Sequence, residues 1–300
     1  MLIFRTDQFP LPLPDGHRFP AAKYQMLADA VHAIAAAHMT TAPAATPGEL
    51  MLAHAVNYVA ALFDGSVAPD IMREIGLPWS PQLVQRSARS VGATIGAAHS
   101  ALQYGAGINL AGGTHHAGHA KGGGFCVFND VAVAIRLLQQ EGRIRRAAVI
   151  DLDVHQGNGT AELFAGDDSV FTLSLHGEKN FPFRRVPSTL DVGVADNTGD
   201  GAYLQLLDDA LRTLTSNAQP DIVFYLAGAD PYEGDRLGRL SLSKAGLLAR
   251  DCRVFDLCEQ QQWPLAVTMA GGYAVPIGDT VDIHLQTVRE LLSRHHPKGG

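Results

Sequence analysis

The feature that most constrains this chain is a rhythm that begins about one third of the way along it. Short, nearly continuous apolar stretches ("GINLAG", "AAVIDLDV", "SVFTLSL", "DIVFYLAGAD", "PLAVTMAGGY") alternate with amphipathic ones ("NDVAVAIRLLQQEG", "AYLQLLDDALRTL", "KAGLLARDCRVFDLCEQQ", "DTVDIHLQTVRELL"). Strands that are apolar on both faces need cover on both sides, and crossover helices supply it. The expected fold is therefore α/β, a three-layer α/β/α arrangement around a mostly parallel central sheet. Upstream, "AAKYQMLADAVHAIAAAH" has a helical pattern, and Thr46, Pro47 and Glu49 form a good helix entry. Ser80-Pro81 opens another long helix, which Gly105 ends. With no Gly/Ser-rich or Pro-rich linker and no internal repeat, residues 1–300 read as one domain. The segments Gly112–Phe125 and His176–Gly201 read as long loops that build a site.

Composition narrows the partners. At 46% hydrophobic and 18% charged, the chain has enough apolar material for a sizeable core. Its 23 basic and 30 acidic residues give a net charge of −7, which argues against a nucleic-acid backbone as ligand. Cys126, Cys252 and Cys258 make neither a CxxC pair nor an even framework, so a reducing compartment is expected. The N-terminal "MLIFRTDQFPLPLP" interrupts any apolar run with Arg5, Asp7 and prolines, unlike a signal peptide. No stretch has the apolar length of a membrane span. The expectation is a cytoplasmic protein with no membrane partner; homo-oligomerisation is left open.

The chemistry gathers at the ends of the expected strands, where open parallel sheets bind ligands. "GINLAG" leads into "GTHHAGH" with His115 and His116, "VIDLDVH" carries Asp151, Asp153 and His155, "LAGAD" ends at Asp230, and "AGGY" ends at Tyr273. Alternation along a strand would point Asp151, Asp153 and His155 the same way. Carboxylates and an imidazole crowded together ask for a cation. Asp153, His155 and Asp230 would offer two carboxylates and one imidazole, leaving a position open for water, as catalytic zinc requires; iron(II) suits the same donors. A plain strand end followed by an Asn158-Gly159 turn is the competing reading of the triplet alone. One of the two histidines would serve as general base and acid, and its neighbour as electrostatic support. Gly271 and Gly272 would let Tyr273 turn into the cleft as an oxyanion donor. "HAKGGGFCVFND" lacks the Gly-Lys-Ser/Thr ending of a phosphate-binding loop; Phe125 and Phe181 serve equally well as channel walls or as core.

Taken together, "GGTHHAGH", "GFCVFND", "DLDVHQGNGT", "LAGADPYEGDRLGRLSLS" and "AGGY" resemble the zinc-dependent histone deacetylase family, in the same order and at similar separations. The likeness runs from "GHRFPAAKY" to the last helix. It implies the arginase/deacetylase fold, with Asp153, His155 and Asp230 as metal ligands and His116 as general base and acid. His115 is then its electrostatic partner, oriented by Asp151, and Tyr273 the phenol on the carbonyl. A structural potassium ion would draw on Asp151, Asp153, His155, Ser174 and Leu175. Gly124, Phe125 and Phe181 would line an acyl-lysine channel. "HQGNG" and "EGDRLGRLSLS" look most like the class IV deacetylases and their bacterial relatives. Some members carry aspartate where this chain has Asn158; an amide there lacks the negative charge that would make His116 more basic. Tyr273 sets the chain apart from the weakly active subgroup that has histidine at that position.

The implied activity is removal of acetyl or longer acyl groups from Nε-acyl-lysine by metal-activated water. Small-molecule amides such as acetylpolyamines are the alternative substrates, although the insertion that narrows the entrance in such members has no clear counterpart here. A silent acyl-lysine binder ranks lower, because every expected catalytic group is present.

Overall fold

In the computed structural model, which describes residues 1–295, the helices cover both faces of one eight-stranded sheet. The strands are β1 (Leu2–Arg5), β2 (Met39–Thr41), β3 (Ala106–Asn109), β4 (Ala147–Asp151), β5 (Val170–Gly177), β6 (Leu190–Val194), β7 (Ile222–Leu226) and β8 (Leu265–Thr268). They lie in the order β2-β1-β3-β8-β7-β4-β5-β6, and every pairing is parallel. The helices α1 (Ala22–Ala35), α2 (Pro47–Leu50), α3 (Val56–Asp64), α4 (Pro69–Ile75) and α5 (Pro81–Tyr104) come mostly before the main rhythm. Then follow α6 (Asp130–Gln140), α7 (Asn158–Leu163), α8 (Asp200–Asn217), α9 (Lys244–Gln261) and α10 (Ile277–His295).

The period of two along the strands separates two cores. Ala148, Ile150, Val223 and Tyr225 join the cluster beneath α1, α8, α9 and α10. Ala147, Val149, Ile222, Phe224 and Leu226 face the opposite cluster, with Val84, Val91 and Ala98 of α5 and Val131 and Ile135 of α6. Fully burying one such Leu, Ile or Val contributes about 1.5–3 kcal/mol. That is why β4, β7 and β8, in the middle of the sheet, carry no polar group but the Tyr225 hydroxyl until they reach their carboxyl ends.

Local signals behave as their chemistry requires. Ser80 caps α5 by accepting from Leu83 N, Pro81 occupies its first turn, and Gly105 closes it at φ +88°. Thr46 and Glu49 make a reciprocal capping box, yet the helix behind it is only the four residues of α2. Two expectations need correction. The segment His176–Gly201 is not wholly loop, since β6 lies within it as the edge strand. Its half-exposed, alternating "LDVGV" lacks the continuous apolar run of the central strands. Asp153 and His155 do not share a strand face with Asp151, because β4 ends at Asp151. Among the described residues no helix is long and apolar enough to cross a membrane.

Candidate active site

Four adjacent strands of the sheet, β3, β8, β7 and β4, send their carboxyl-terminal loops into one cavity of about 360 Å³. His115, His116, Gly124, Phe125, Asp153, His155, Phe181 and Tyr273 all line it, and Asp230 lies beneath.

The turn after β4 is built by its own carboxylates. Asp153 N donates to Asp151 Oδ1 (3.2 Å), and His155 N donates to Asp153 Oδ1 (2.9 Å). Each aspartate thus holds the amide two residues on, the local bond for which short acidic side chains are suited. This turn, rather than strand alternation, brings the three residues together. Asp230 reaches across from the β7 loop, accepting from Val154 N at 2.9 Å. Gly271 N donates to Asp153 Oδ2 at 2.8 Å.

One donor atom each from Asp153, His155 and Asp230 falls within 4.8 Å of the others. All three residues are buried, and Asp230 Oδ2 has no hydrogen-bond partner. His155 Nδ1 is 2.9 Å from Asp153 Oδ1 and 3.3 Å from Asp230 Oδ2. Burial, reinforced by the charge of Asp153, lifts the Asp230 carboxyl to about 7. Burial opposes charge on His155 too, but its hydrogen bond to Asp153 and the nearby carboxylate of Asp230 prevail and raise it to about 10. Space is kept open between the carboxylates: a methyl group on Gly271 would overlap Asp230 Oδ2 and stand 2.5 Å from Asp153 Oδ2. Two carboxylates, an imidazole, an orphaned oxygen and a glycine-kept gap fit a divalent metal ion.

The paired histidines differ sharply. His115 Nδ1 donates to Asp151 Oδ2 at 2.6 Å. Burial disfavours its charge, but Asp151 and Asp153 outweigh that and raise it to about 9. His116 Nδ1 donates instead to Asn158 Oδ1 at 2.7 Å. Burial, then the neighbouring His115 and His155, push His116 well below its ordinary range, and the amide of Asn158 opposes them only weakly. The two rings, with centroids 4.1 Å apart, are therefore pushed in opposite directions, His115 toward the charged form and His116 toward the neutral one. Tyr273, buried and facing Asp153 and Asp230, is held well above the usual phenol value and stays protonated.

The walls are aromatic. Phe181 meets the His116 ring edge-on at 4.9 Å, and Phe125 lies 6.0 Å from Tyr273. Gly124 has φ +51°, and a side chain on it would stand 2.5 Å from His116 Cδ2, so the loop can pass this close only as glycine. Ser174 is in register with Asp151 across the β4–β5 pair, and its hydroxyl bonds His176 Nδ1 at 2.9 Å; Leu175 is fully buried beside it.

Several residues that organise this site escaped the sequence reading. Asp235 accepts from Tyr273 N (2.6 Å), Leu237 N and Gly238 N, so it sets the tyrosine's backbone. Lys23, buried in α1, donates to Gly272 O at 3.1 Å with its ammonium 5.1 Å from the Tyr273 ring centroid. Asp130 gathers Gly113 N, Thr114 N and the Thr94 hydroxyl, anchoring the start of the histidine loop. Buried His54 bonds Gly118 O through Nδ1 and accepts from Asn129 N through Nε2, both at 2.9 Å. Arg250 and Asp251 lie fully buried below the ligand loops. Arg250 Nη1 donates to Gly228 O (2.6 Å) and Leu152 O (3.4 Å), while Asp251 accepts from Arg250, Tyr225 OH (2.5 Å) and Thr287 Oγ1 (2.6 Å). The only signal in sequence was an Arg-Asp step on an otherwise ordinary amphipathic helix.

Comparison with known proteins agrees with the geometry. A model of the histone deacetylase domain matches residues 17–288. The chain belongs to the histone deacetylase family. This deacetylase-family chain is 43% identical over 288 residues to an uncharacterised protein of Picosynechococcus sp., covering 94% of the former and 95% of the latter. It is 36% identical to histone deacetylase 2 of Arabidopsis thaliana over 234 residues, which are 75% of this chain but 60% of that one. Among solved structures, an HDAC homolog from Aquifex aeolicus superposes with a TM-score of 0.84 at 26% identity, covering 99% of this chain and 84% of the other. An HDAC homolog complexed with SAHA superposes with a TM-score of 0.83 at the same identity and coverage. The arginase/deacetylase architecture expected from the motifs is the fold observed.

Proposed function

We propose that the chain is a metal-dependent deacylase that hydrolyses the amide of an Nε-acyl-lysine, yielding a carboxylate and free lysine. One observation carries the reading. Three buried donors able to hold a metal, two adjacent histidines bonded one to a carboxylate and one to an amide, and a buried phenol meet in one aromatic-walled cavity.

Asp153, His155 and Asp230 would hold zinc or iron(II). Such an ion supplies Lewis acidity toward the carbonyl and lowers the pKa of water. The chain's own groups do the rest. With Nδ1–H engaged by Asn158, His116 has its Nε2 lone pair free and takes the proton of the attacking water. His115, kept charged by Asp151, favours the negative tetrahedral species beside it. Tyr273 donates its hydroxyl hydrogen to the developing oxyanion. The carbon–nitrogen bond then breaks as His116 returns the proton to the departing amine. Phe125 and Phe181 grip the aliphatic chain and keep bulk water off the amide. Potassium beside Asp151 and Ser174 belongs to the same reading, since carboxylate and backbone oxygens are the hard donors it takes.

The test is turnover, by mass detection, of one lysine peptide carrying acetyl, butyryl, octanoyl or myristoyl groups, with zinc-loaded and chelator-treated protein. Loss of turnover on chelation and recovery with zinc is expected, and the series reads acyl length directly. No turnover of any peptide by protein shown to hold metal refutes the reading.

A further inference from the structure

The outer cavity carries a charge opposite to that of the chain. The protein as a whole is at −7. Yet the charged side chains lining the mouth are Arg18, Lys179 and Arg239 against the single carboxylate Glu74. Arg239 is paired with Asp196 at 3.1 Å. Arg18 and Lys179 have no ion-pair partner among the described residues. Arg18 comes from the segment before α1, with its guanidinium 5.1 Å from the centroid of Phe125, one channel wall. Its carbonyl accepts from Arg236 Nη2 at 2.8 Å, which ties that segment to the β7–α9 connection. Lys179 comes from the β5–β6 connection, two residues before Phe181. The two cations thus belong to separate loops that carry or abut the two walls.

The same rim has an apolar feature. Phe183 is 87% exposed and packs edge-on against Phe181 with centroids 6.3 Å apart. Phe181 in turn touches His116. The aromatic wall therefore continues from the catalytic histidine out to the surface, where a side chain flanking the acylated residue would rest.

From this we infer that the mouth selects an acylated lysine set in an acidic sequence with an apolar neighbour, rather than a basic tail or a polycation. Carboxylates beside the acyl-lysine meet Arg18 and Lys179, and the apolar neighbour covers Phe183. A polyamine, or a peptide rich in lysine and arginine, brings like charge to the same rim. An unpaired cation on a channel mouth also acts at range, raising the local concentration of anionic substrate and speeding its arrival. This inference rests on the deacylase reading and specifies its substrate class.

The experiment compares three acyl-lysine peptides of one length, flanked by Asp/Glu, by Ser/Gln or by Lys/Arg, on the zinc-loaded enzyme. Both kcat/KM and binding, by fluorescence anisotropy, are measured at low salt and at high salt. About tenfold between the acidic and basic peptides is expected, from two exposed ion pairs of ordinary strength. The gap should close in high salt, as the charges are screened. Arg18→Glu with Lys179→Glu should invert the order, and Phe183→Ser should raise KM for peptides with an apolar neighbour while sparing kcat. Equal ranking of the three peptides, preference for the basic one, or an order that survives the double reversal overturns the inference. If no peptide is turned over, the deacylase reading fails, and the binding order alone decides whether the mouth selects for charge.

Discussion

Arg250 offers the sharpest test of how the Asp153–His155–Asp230 cluster is held. Its guanidinium is fully buried and does two jobs: it neutralises Asp251, and it donates to the carbonyls of Gly228 and Leu152. Those carbonyls immediately precede the turns that deliver Asp230 and Asp153. Replacing Arg250 by Met leaves the Asp251 carboxylate buried with only the Tyr225 and Thr287 hydroxyls. Breaking a buried pair in this way costs about 3–5 kcal/mol, a large share of a typical domain's 5–15 kcal/mol. The expected fall in Tm is about 10 °C. The double variant Arg250→Met/Asp251→Asn removes both charges. Its amide can still accept from Tyr225 and donate to Thr287 Oγ1, whose own hydroxyl also reaches Ile283 O. Most of the lost stability should therefore return. The Gly228 and Leu152 carbonyls remain without their donor, so zinc affinity should stay about 10–100-fold weaker, as when outer-shell partners of a metal site are removed. Thermal denaturation and zinc titration of the metal-free proteins read the two effects separately. A double variant with native stability and native zinc affinity would refute the idea that Arg250 positions the ligand loops.

Three further outcomes are expected. Tyr273→Phe should lower kcat by about 10²–10³-fold, the usual effect of losing an oxyanion donor, with zinc binding unchanged in a direct titration. Gly271→Ala should leave far-UV circular dichroism unchanged but weaken zinc binding at least about tenfold, since the added methyl group enters the space between Asp230 and Asp153. His54 is buried and depressed to about 4. The unfolded chain binds its proton near 6.5 and the folded chain does not, so stability is full above that value and falls as pH drops toward 4. The magnitude is about 3 kcal/mol. Denaturation midpoints of His54→Gln across this range should show a shallower acid limb than the parent, and identical limbs would contradict the assignment.

Much of the site could be read in the chain because its chemistry is written in compact motifs. Asp151, Asp153 and His155 are neighbours in sequence, and His115 and His116 are adjacent, so their unusual polarity at the ends of apolar runs stands out. Phe125 and Phe181 were ambiguous for a physical reason: an apolar side chain has the same local signature whether it fills a core or walls a cavity. Arg250, Lys23 and Asp235 were invisible because the contact by which each shapes the site is to a backbone group remote in sequence: Gly228 O, Gly272 O and Tyr273 N. A charged residue on a helix reads as solvent-facing until the helix is seen packed.

What the sequence by itself determined is the layer architecture and the set of polar side chains offered at the strand ends. Both follow from short-range facts: the period of apolar residues along each segment, and the functional groups its side chains carry. Only the tertiary structure decided which atoms meet. Strand order set β3, β8, β7 and β4 side by side, which brought Asp230 to Asp153 and His115 to Asp151. It also pushes His115 toward its charged form and His116 toward its neutral one, because a histidine's proton is governed by burial and by charges a few ångströms away. Apart from the effect of His115 on its neighbour, those charges come from the β4 loop, and the histidine loop's own sequence does not record them.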